Sequence, residues 1–201
     1  MRRGLNDMTA IQSSLKVGVD VPWVTSWTAE TITGVAACPS VGDRPALCQT
    51  DHAGFGKPQY SKNHLLRQRL TVSRMLCPMC GDPTVEDDRW TQTGKPRAAG
   101  WLRAEKGFRL PDGVADDQVV IDAGAIAPLH RACATRSMAQ CPHLKADPEL
   151  KLIRFPKAHV VVPLLAEAED AHAAAKLSPV IGFLQLCGIT GTIDRRWRRT
   201  A

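Results

Sequence analysis

The feature that most constrains the fold is a pair of cysteines two residues apart, Cys77-Pro-Met-Cys80, followed directly by Gly81. Two thiols at this spacing form a tight turn, the zinc knuckle, in which backbone N–H groups point at sulfur. About fifty residues later the chain carries His130 and Cys133. A structural zinc ion takes four such nitrogen and sulfur ligands in a tetrahedron. The spacing therefore predicts a structural zinc site formed by these four side chains.

The second half of the predicted site leaves alternatives open. His130 and Cys133 are three residues apart, so on a helix they share one face with a rise of about 4.5 Å between them. Cys141 lies eight residues beyond Cys133, about 12 Å along an unbroken helix, which is too far for one ion. Pro142 ends a helix near that point, so Cys141 or His143 remains an alternate for His130.

The order of elements around these ligands predicts the fold class. Residues 90–95 and 100–106 read as two strands of a hairpin, with turn residues between them, and 119–121 reads as a short apolar strand. Pro128 suits the first residue of a helix that runs to about Gln140. A knuckle, a hairpin and then a ligand-bearing helix is the order of a treble-clef zinc finger. We expect a small zinc-stabilised α+β domain with a treble-clef-like finger and flanking strands and helices.

The predicted metal is structural and not catalytic. A catalytic zinc keeps an open position for water and usually has a carboxylate base nearby. Four protein ligands close the site, and the chain has no His-x-Glu or His-Glu-x-x-His motif. We therefore expect no catalytic residues and no enzyme activity; a metal-dependent nuclease is kept only as a third hypothesis.

The remaining cysteines give no second site. Cys38 and Cys48 are ten residues apart and lack a histidine at ligand spacing, so we expect buried thiols there. The sequence assigns no role to Cys187.

Charge points to an acidic partner. The formal net charge is +6 and the isoelectric point is about 9.1, while an apolar content of 44% excludes wholesale disorder. No stretch is apolar and long enough for a membrane span, and no signal peptide is evident, so we expect a cytoplasmic protein with no membrane partner.

A basic helix is the strongest indication of nucleic-acid binding. Ser61 suits an N-cap, and 62–76 has apolar residues at helical spacing. No Asp or Glu lies between positions 57 and 76, which contain five cations: Lys57, Lys62, Arg67, Arg69 and Arg74. We expect these to contact phosphates, with DNA preferred over RNA. The alternative is a solvated helix face whose arginines pair with acids such as those at 86–88.

Three segments are predicted along the chain. Residues 1–60 form a β-rich segment in which Trp23 and Trp27 are core or interface residues, 61–145 hold the basic helix and the zinc domain, and 146–201 form a strand–helix extension. The extension is expected to hold strands at 150–155 and 158–162 and a helix over 164–177. It ends in a basic tail that contacts phosphates or only aids solubility, with four arginines: Arg195, Arg196, Arg198 and Arg199.

Several motifs together resemble one family. They are Val21-Pro-Trp-Val-Thr-Ser-Trp-Thr-Ala-Glu30, Leu66-Arg-Gln-Arg69, Leu76-Cys-Pro-Met-Cys-Gly81, Pro128-Leu-His-Arg-Ala-Cys-Ala134 and Cys141-Pro-His-Leu144. They are similar to an uncharacterised family of small zinc-knuckle proteins from actinobacteria and their phages. The resemblance covers 20–145 in patches, and in that family a cysteine usually stands where this chain has His130. It implies a phage or mobile-element setting, with the host cytoplasm as location, and carries no function.

Two hypotheses follow for the function. The first is a non-enzymatic, zinc-stabilised protein that binds nucleic acid. The second is an interaction module that modulates or inhibits a host protein by docking on its acidic surface.

Overall fold

The computed structural model describes residues 11–147, 150–166 and 179–191. Within these ranges the strands are β1 (Thr25–Trp27), β2 (Ile32–Cys38), β3 (Arg44–Gln49), β4 (Pro58–Asn63), β5 (Trp90–Thr91), β6 (Lys95–Ala98), β7 (Val119–Gly124), β8 (Ile153–Arg154), β9 (His159–Leu165) and β10 (Ile181–Ile189). The helices are α1 (Leu65–Ser73), α2 (Ala99–Lys106), α3 (Arg131–Gln140) and α4 (Pro142–Lys145). The predicted α+β class is confirmed.

Strand β10 is the centre of a six-stranded mixed sheet. Its uncharged sequence is almost entirely buried, as suits a strand covered on both faces. β9 pairs antiparallel along one side of β10. On the other side, β3 pairs parallel at Ile181 and β7 pairs antiparallel from Leu186 onward. β2 lies outside β3 and β6 lies outside β7, so strands from all three predicted segments enter one sheet.

Helix α1 packs on this sheet where β10 changes partners. Between Ile181 and Leu186, neither β3 nor β7 pairs with β10. Gln68 of α1 fills the gap, since its Nε2 donates to the Leu184 carbonyl at 2.7 Å and its Oε1 accepts from the Leu184 N–H at 3.0 Å. A buried backbone group must find a partner, and here a side chain supplies the bonds that a strand would otherwise make.

Arg69 performs the same task one residue further along α1. Its guanidinium donates to the Gly182 carbonyl of β10 at 2.7 Å and to the Leu47 carbonyl of β3 at 2.8 Å. The side chain therefore joins two parallel neighbours through the helix that covers them. Gln68 and Arg69 of α1 are therefore structural parts of the sheet.

The predicted basic helix begins later than expected. Lys62 and Ser61 lie on β4, which pairs antiparallel with β1. The N-cap is His64, whose Nδ1 accepts from the Arg67 N–H at 3.3 Å, so the prediction of Ser61 was wrong. The helix is also buried on most sides and does not present a single buried stripe, because it packs against β3, β10 and the turn at 39–41.

The predicted hairpin at 90–106 was wrong as well. β5 pairs with β8, and β6 pairs with β7. The expected second strand is helix α2, because its Leu102 is fully buried in an apolar cluster and Gly107, with a φ of 62°, ends the helix. The short strand expected at 119–121 is confirmed within β7.

The other predicted elements are met in part. Strands occur at 153–154 and 159–165, close to the expected ones. α3 ends at Gln140 as predicted, but it begins at Arg131, and Pro128 precedes it because Leu129 instead pairs with Trp90. Of the helix expected at 164–177, residues 164 and 165 belong to β9, and 167–177 lie outside the described residues. No helix in the described part of the chain is long and apolar enough to cross a membrane.

Candidate metal centre

The knuckle at 77–81 is closed by its own backbone. The Gly81 N–H donates to the Cys77 carbonyl at 2.8 Å, and the Cys77 N–H donates to the Asp82 carbonyl at 2.8 Å. Gly81 has a φ of 87°, and a Cβ there would lie 3.0 Å from the Trp23 ring. Glycine is required both by the left-handed backbone and by the packed indole.

The first turn of α3 supplies the other half of the centre. His130 precedes the helix in an extended conformation, and its carbonyl accepts the Ala134 N–H at 2.9 Å. The Asp88 carboxylate accepts the Arg131 N–H at 2.9 Å, as an acidic side chain does at a helix N-terminus. Cys133 is buried one turn in. The helix start therefore holds both side chains toward the knuckle.

The four predicted side chains meet in one place. The ligand atoms of Cys77, Cys80, His130 and Cys133 all lie within 4.8 Å of one another. His130 Nδ1 is 3.5 Å from the Cys80 sulfur and 3.9 Å from the Cys133 sulfur. In a tetrahedral zinc site with ordinary bond lengths, nitrogen and sulfur ligands are about 3.6 Å apart. The cluster is consistent with a zinc-binding site.

A hydrogen bond outside the cluster orients the imidazole. His130 Nε2 is 3.1 Å from the Pro83 carbonyl, to which it donates, so Nδ1 is left to face the thiols. Ligand histidines in metal sites commonly donate their second N–H in this way.

Burial makes two of the thiols, Cys80 and Cys133, harder to ionise. Burial raises the pKa of Cys80 to about 12, and the charge of neighbouring Cys77 adds to the effect. Burial and then Cys77 also raise the pKa of Cys133. Three crowded thiolates need a cation among them, and a divalent ion bound at the centre would supply it.

The chain around the knuckle packs against this centre. Trp23 and Val24 donate their backbone N–H groups to the carbonyls of Met79 and Pro78 at 2.9 and 3.0 Å. Arg136 lies one turn after Cys133, and its guanidinium is 3.8 Å from that sulfur. Sequence reasoning missed Arg136, although its i+3 spacing from a predicted ligand was a usable signal.

The alternate ligands lie outside the cluster. Cys141 is the C-cap residue of α3 and His143 is exposed on α4, and neither belongs to the group of four. Among the other thiols, Cys38 is buried as expected, Cys48 is half-buried and Cys187 is buried in the core of the sheet.

A second group of potential ligands already holds a cation. Glu30, Asp51 and His64 also bring ligand atoms within 4.8 Å of one another. The Arg67 guanidinium lies among them, with ion pairs to Glu30 at 2.8 Å and to Asp51. Because this guanidinium neutralises the carboxylates, the group is an arginine-centred structural cluster.

Two of the predicted nucleic-acid contacts were wrong. Arg67 and Arg69 are each 1% exposed and cannot reach a phosphate. Arg67 binds the Glu30 carboxylate and the Thr25 carbonyl, while Arg69 binds sheet carbonyls. The acids expected to pair with these arginines, 86–88, pair elsewhere, for example Asp87 with Arg154.

The other predicted cations fall in two groups. Lys57, Lys62 and Arg74 are exposed. The tail arginines at 195–199 lie outside the described residues. Sequence reasoning missed Tyr60, which is 65% exposed on β4 two residues before Lys62; that spacing on a strand was the available signal.

Three comparisons with known proteins gave no match. No family model, no curated protein and no solved structure matches the chain.

Proposed function

We propose that the four-residue cluster binds one zinc ion whose role is structural. The observation that carries this is the closed set of three sulfurs and one imidazole nitrogen within 4.8 Å. Thiolate and imidazole ligands in this number select zinc over magnesium or calcium. The ion would join the knuckle to α3, and the backbone bonds of Trp23 and Val24 would join the N-terminal segment to both. A site with four protein ligands has no open position for substrate, which supports a structural role for this ion over a hydrolytic one.

Metal content tests this proposal directly. Untagged protein should contain about one zinc per chain by elemental analysis, as a single closed site requires. Cys80→Ser should lose the metal and unfold the 77–140 region, because binding energy of a structural zinc is folding energy. The matched control is Cys141→Ser, which lies outside the cluster and should keep both metal and fold. Full metal content in Cys80→Ser would refute the ligand assignment.

We further propose that the protein binds nucleic acid through the exposed face of β4. Tyr60 and Lys62 are exposed on β4 and Lys57 is exposed just before it; neither lysine forms an ion pair within the described residues. The sequence from 52 to 81 contains no Asp or Glu. Cations beside an exposed aromatic ring are typical of surfaces that contact phosphates and stack bases. The zinc centre would hold the adjacent helix α1, and so β4, in place.

Salt dependence tests the nucleic-acid proposal. Fluorescence anisotropy with labelled DNA and RNA should show binding at low salt that weakens as salt rises. Lys57→Ala and Lys62→Ala should each reduce the slope of log K against log salt by about 1. Lys106→Ala, an exposed lysine at the end of α2, is the control and should leave the slope unchanged. If all three variants had the same slope as wild type, the phosphate contacts would not be made by Lys57 or Lys62.

Two other functions make different predictions. An interaction module for an acidic host protein would recover one stoichiometric partner from nuclease-treated lysate and show no binding to oligonucleotides. A metal-dependent nuclease would nick plasmid in the presence of Mg²⁺ or Mn²⁺. We expect neither outcome.

A further inference from the structure

A cleft of about 660 Å³ lies beside the β4 face. This is within the range of roughly 300–1,000 Å³ that is usual for small-molecule sites. Its lining comes from β1–β4, α1, β9 and β10, so the two-stranded ladder and the main sheet both contribute. The cleft is separate from the metal centre, and it touches the Arg67 cluster only through Glu30.

Part of the lining of the cleft is polar and open to solvent. Gln59, Ser61 and Asn63 alternate along β4 and all line the cleft. None of their side chains hydrogen-bonds another described residue, although Gln59 and Asn63 are half-buried. Each amide offers both a donor and an acceptor. The two amides can therefore hydrogen-bond the edge of a polar ligand.

Another part of the lining is apolar. Leu47 and Leu65 are 3% and 6% exposed, and Phe183 is half-buried beside them. All three line the cleft. A flat ligand with apolar faces and a hydrogen-bonding edge matches the two parts of the lining together.

The charge of the lining favours an anion at the exposed end. Glu30 and Lys62 are the charged residues among those lining the cleft. The Glu30 carboxylate is buried and bound by Arg67 at 2.8 and 2.9 Å and by the Trp27 N–H at 2.8 Å. Lys62 is exposed, and its ammonium has no acidic partner among the described residues. The lysine is therefore the charge that a ligand meets first.

We propose that this cleft takes one base of a single-stranded nucleic acid. The base edge bonds the amides of Gln59 and Asn63, its faces contact Leu65 and Phe183, and the flanking phosphate pairs with Lys62. Tyr60 on the same strand provides a surface on which a neighbouring base stacks. The proposal rests on nucleic-acid binding by the β4 face and names its substrate class, a single strand in place of a duplex.

Three ligands separate base recognition from phosphate contact. Anisotropy would compare a strand of about twelve nucleotides, its duplex, and a strand of the same length built from abasic sugars. Wild type should bind the base-containing strand about tenfold more tightly than the abasic one, which is a common effect of a single stacked base. The duplex should bind more weakly than the single strand.

A double variant tests the cleft itself. Gln59→Ala/Asn63→Ala should weaken binding of the base-containing strand about tenfold, because amide contacts are lost, and leave the abasic strand unaffected. These side chains bond no residue in the described part of the chain, so circular dichroism and zinc content should match wild type. Thr33→Ala, on exposed β2 outside the cleft, is the control and should bind like wild type.

The outcomes distinguish this inference from the function on which it rests. Equal affinity for base-containing and abasic strands, or tighter binding of duplex, overturns the base pocket while phosphate binding stands. A double variant that still discriminates bases as wild type does also overturns it. Absence of binding to every ligand refutes nucleic-acid binding and the pocket together.

Discussion

Replacing Arg67 by alanine should destabilise the protein severely, although Arg67 looks in sequence like a surface cation. Its guanidinium donates to the two Glu30 carboxylate oxygens at 2.8 and 2.9 Å and to the Thr25 carbonyl at 2.8 Å. The side chains of Arg67 and Glu30 are 2% and 0% exposed. The variant would leave the carboxylate buried without its counter-charge.

The expected loss is about 3–5 kcal/mol, the usual cost of removing one partner of a buried ion pair. A domain of this size has a total free energy of unfolding of about 5–15 kcal/mol, so a large fraction disappears. Arg74→Ala is the matched control. Arg74 is exposed at the end of the same helix, and its loss should change stability by no more than about 0.5 kcal/mol.

Urea denaturation of the zinc-loaded proteins measures both variants. A double-mutant cycle with Glu30→Gln should give a coupling energy of about 0.5–3 kcal/mol, since the two side chains contact each other. If Arg67→Ala lay within about 1 kcal/mol of wild type, the buried pair would be refuted. The interpretation of α1 as an exposed basic helix would then regain its support.

Three further predictions concern the knuckle, the cap of α1 and the sheet gap. Gly81→Ala should lower the free energy of unfolding in urea by about 2–4 kcal/mol, because alanine is strained at this positive φ and its Cβ would clash with Trp23. Gly107→Ala is the control, since Gly107 also has a positive φ but no atom lies near its Cβ; it should lower the free energy of unfolding by only about 1–2 kcal/mol. Burial, followed by the charge of Arg67, lowers the pKa of His64. The unfolded chain therefore binds this proton more tightly than the folded protein, so stability should fall as pH drops below about 6.5. His64→Asn retains a capping oxygen but does not titrate in this range, so it should lessen the fall in stability measured by urea denaturation between pH 7.5 and pH 5. Gln68→Leu should lower the free energy of unfolding in urea by about 2–4 kcal/mol, because it leaves the Leu184 N–H and carbonyl of β10 without hydrogen bonds. A loss under about 0.5 kcal/mol would show that these backbone groups do not depend on Gln68.

The metal cluster shows which parts of a site the spacing of residues in the sequence can predict. Two cysteines with two residues between them and a following glycine constrain a turn within five residues, so the sequence alone predicts the knuckle. His130 and Cys133 are tied to each other by one helical turn in the same way. The spacing could not decide whether His130, Cys141 or His143 completes the group. That depended on the point at which α3 begins, and Leu129 sets it by pairing with Trp90.

Strand β10 and helix α1, which covers it, show which features the spacing of nearby residues cannot predict. The sequence analysis placed no strand at 181–189, and the change of partners of β10 from β3 to β7 depends on chain segments more than fifty residues away. The same change of partners creates the unpaired backbone groups that Gln68 and Arg69 satisfy.

The sequence by itself determined the α+β class, the two halves of the metal cluster and the end of α3, because each depends on residues within a few positions of one another. Only the tertiary structure decided the role of the basic residues around α1. A guanidinium is equally suited to a phosphate in solvent and to a carboxylate or carbonyl in the interior, and charge alone does not distinguish them. Burial of α1 against the sheet assigns Arg67 and Arg69 to the interior, while Lys57 and Lys62 stay on the surface.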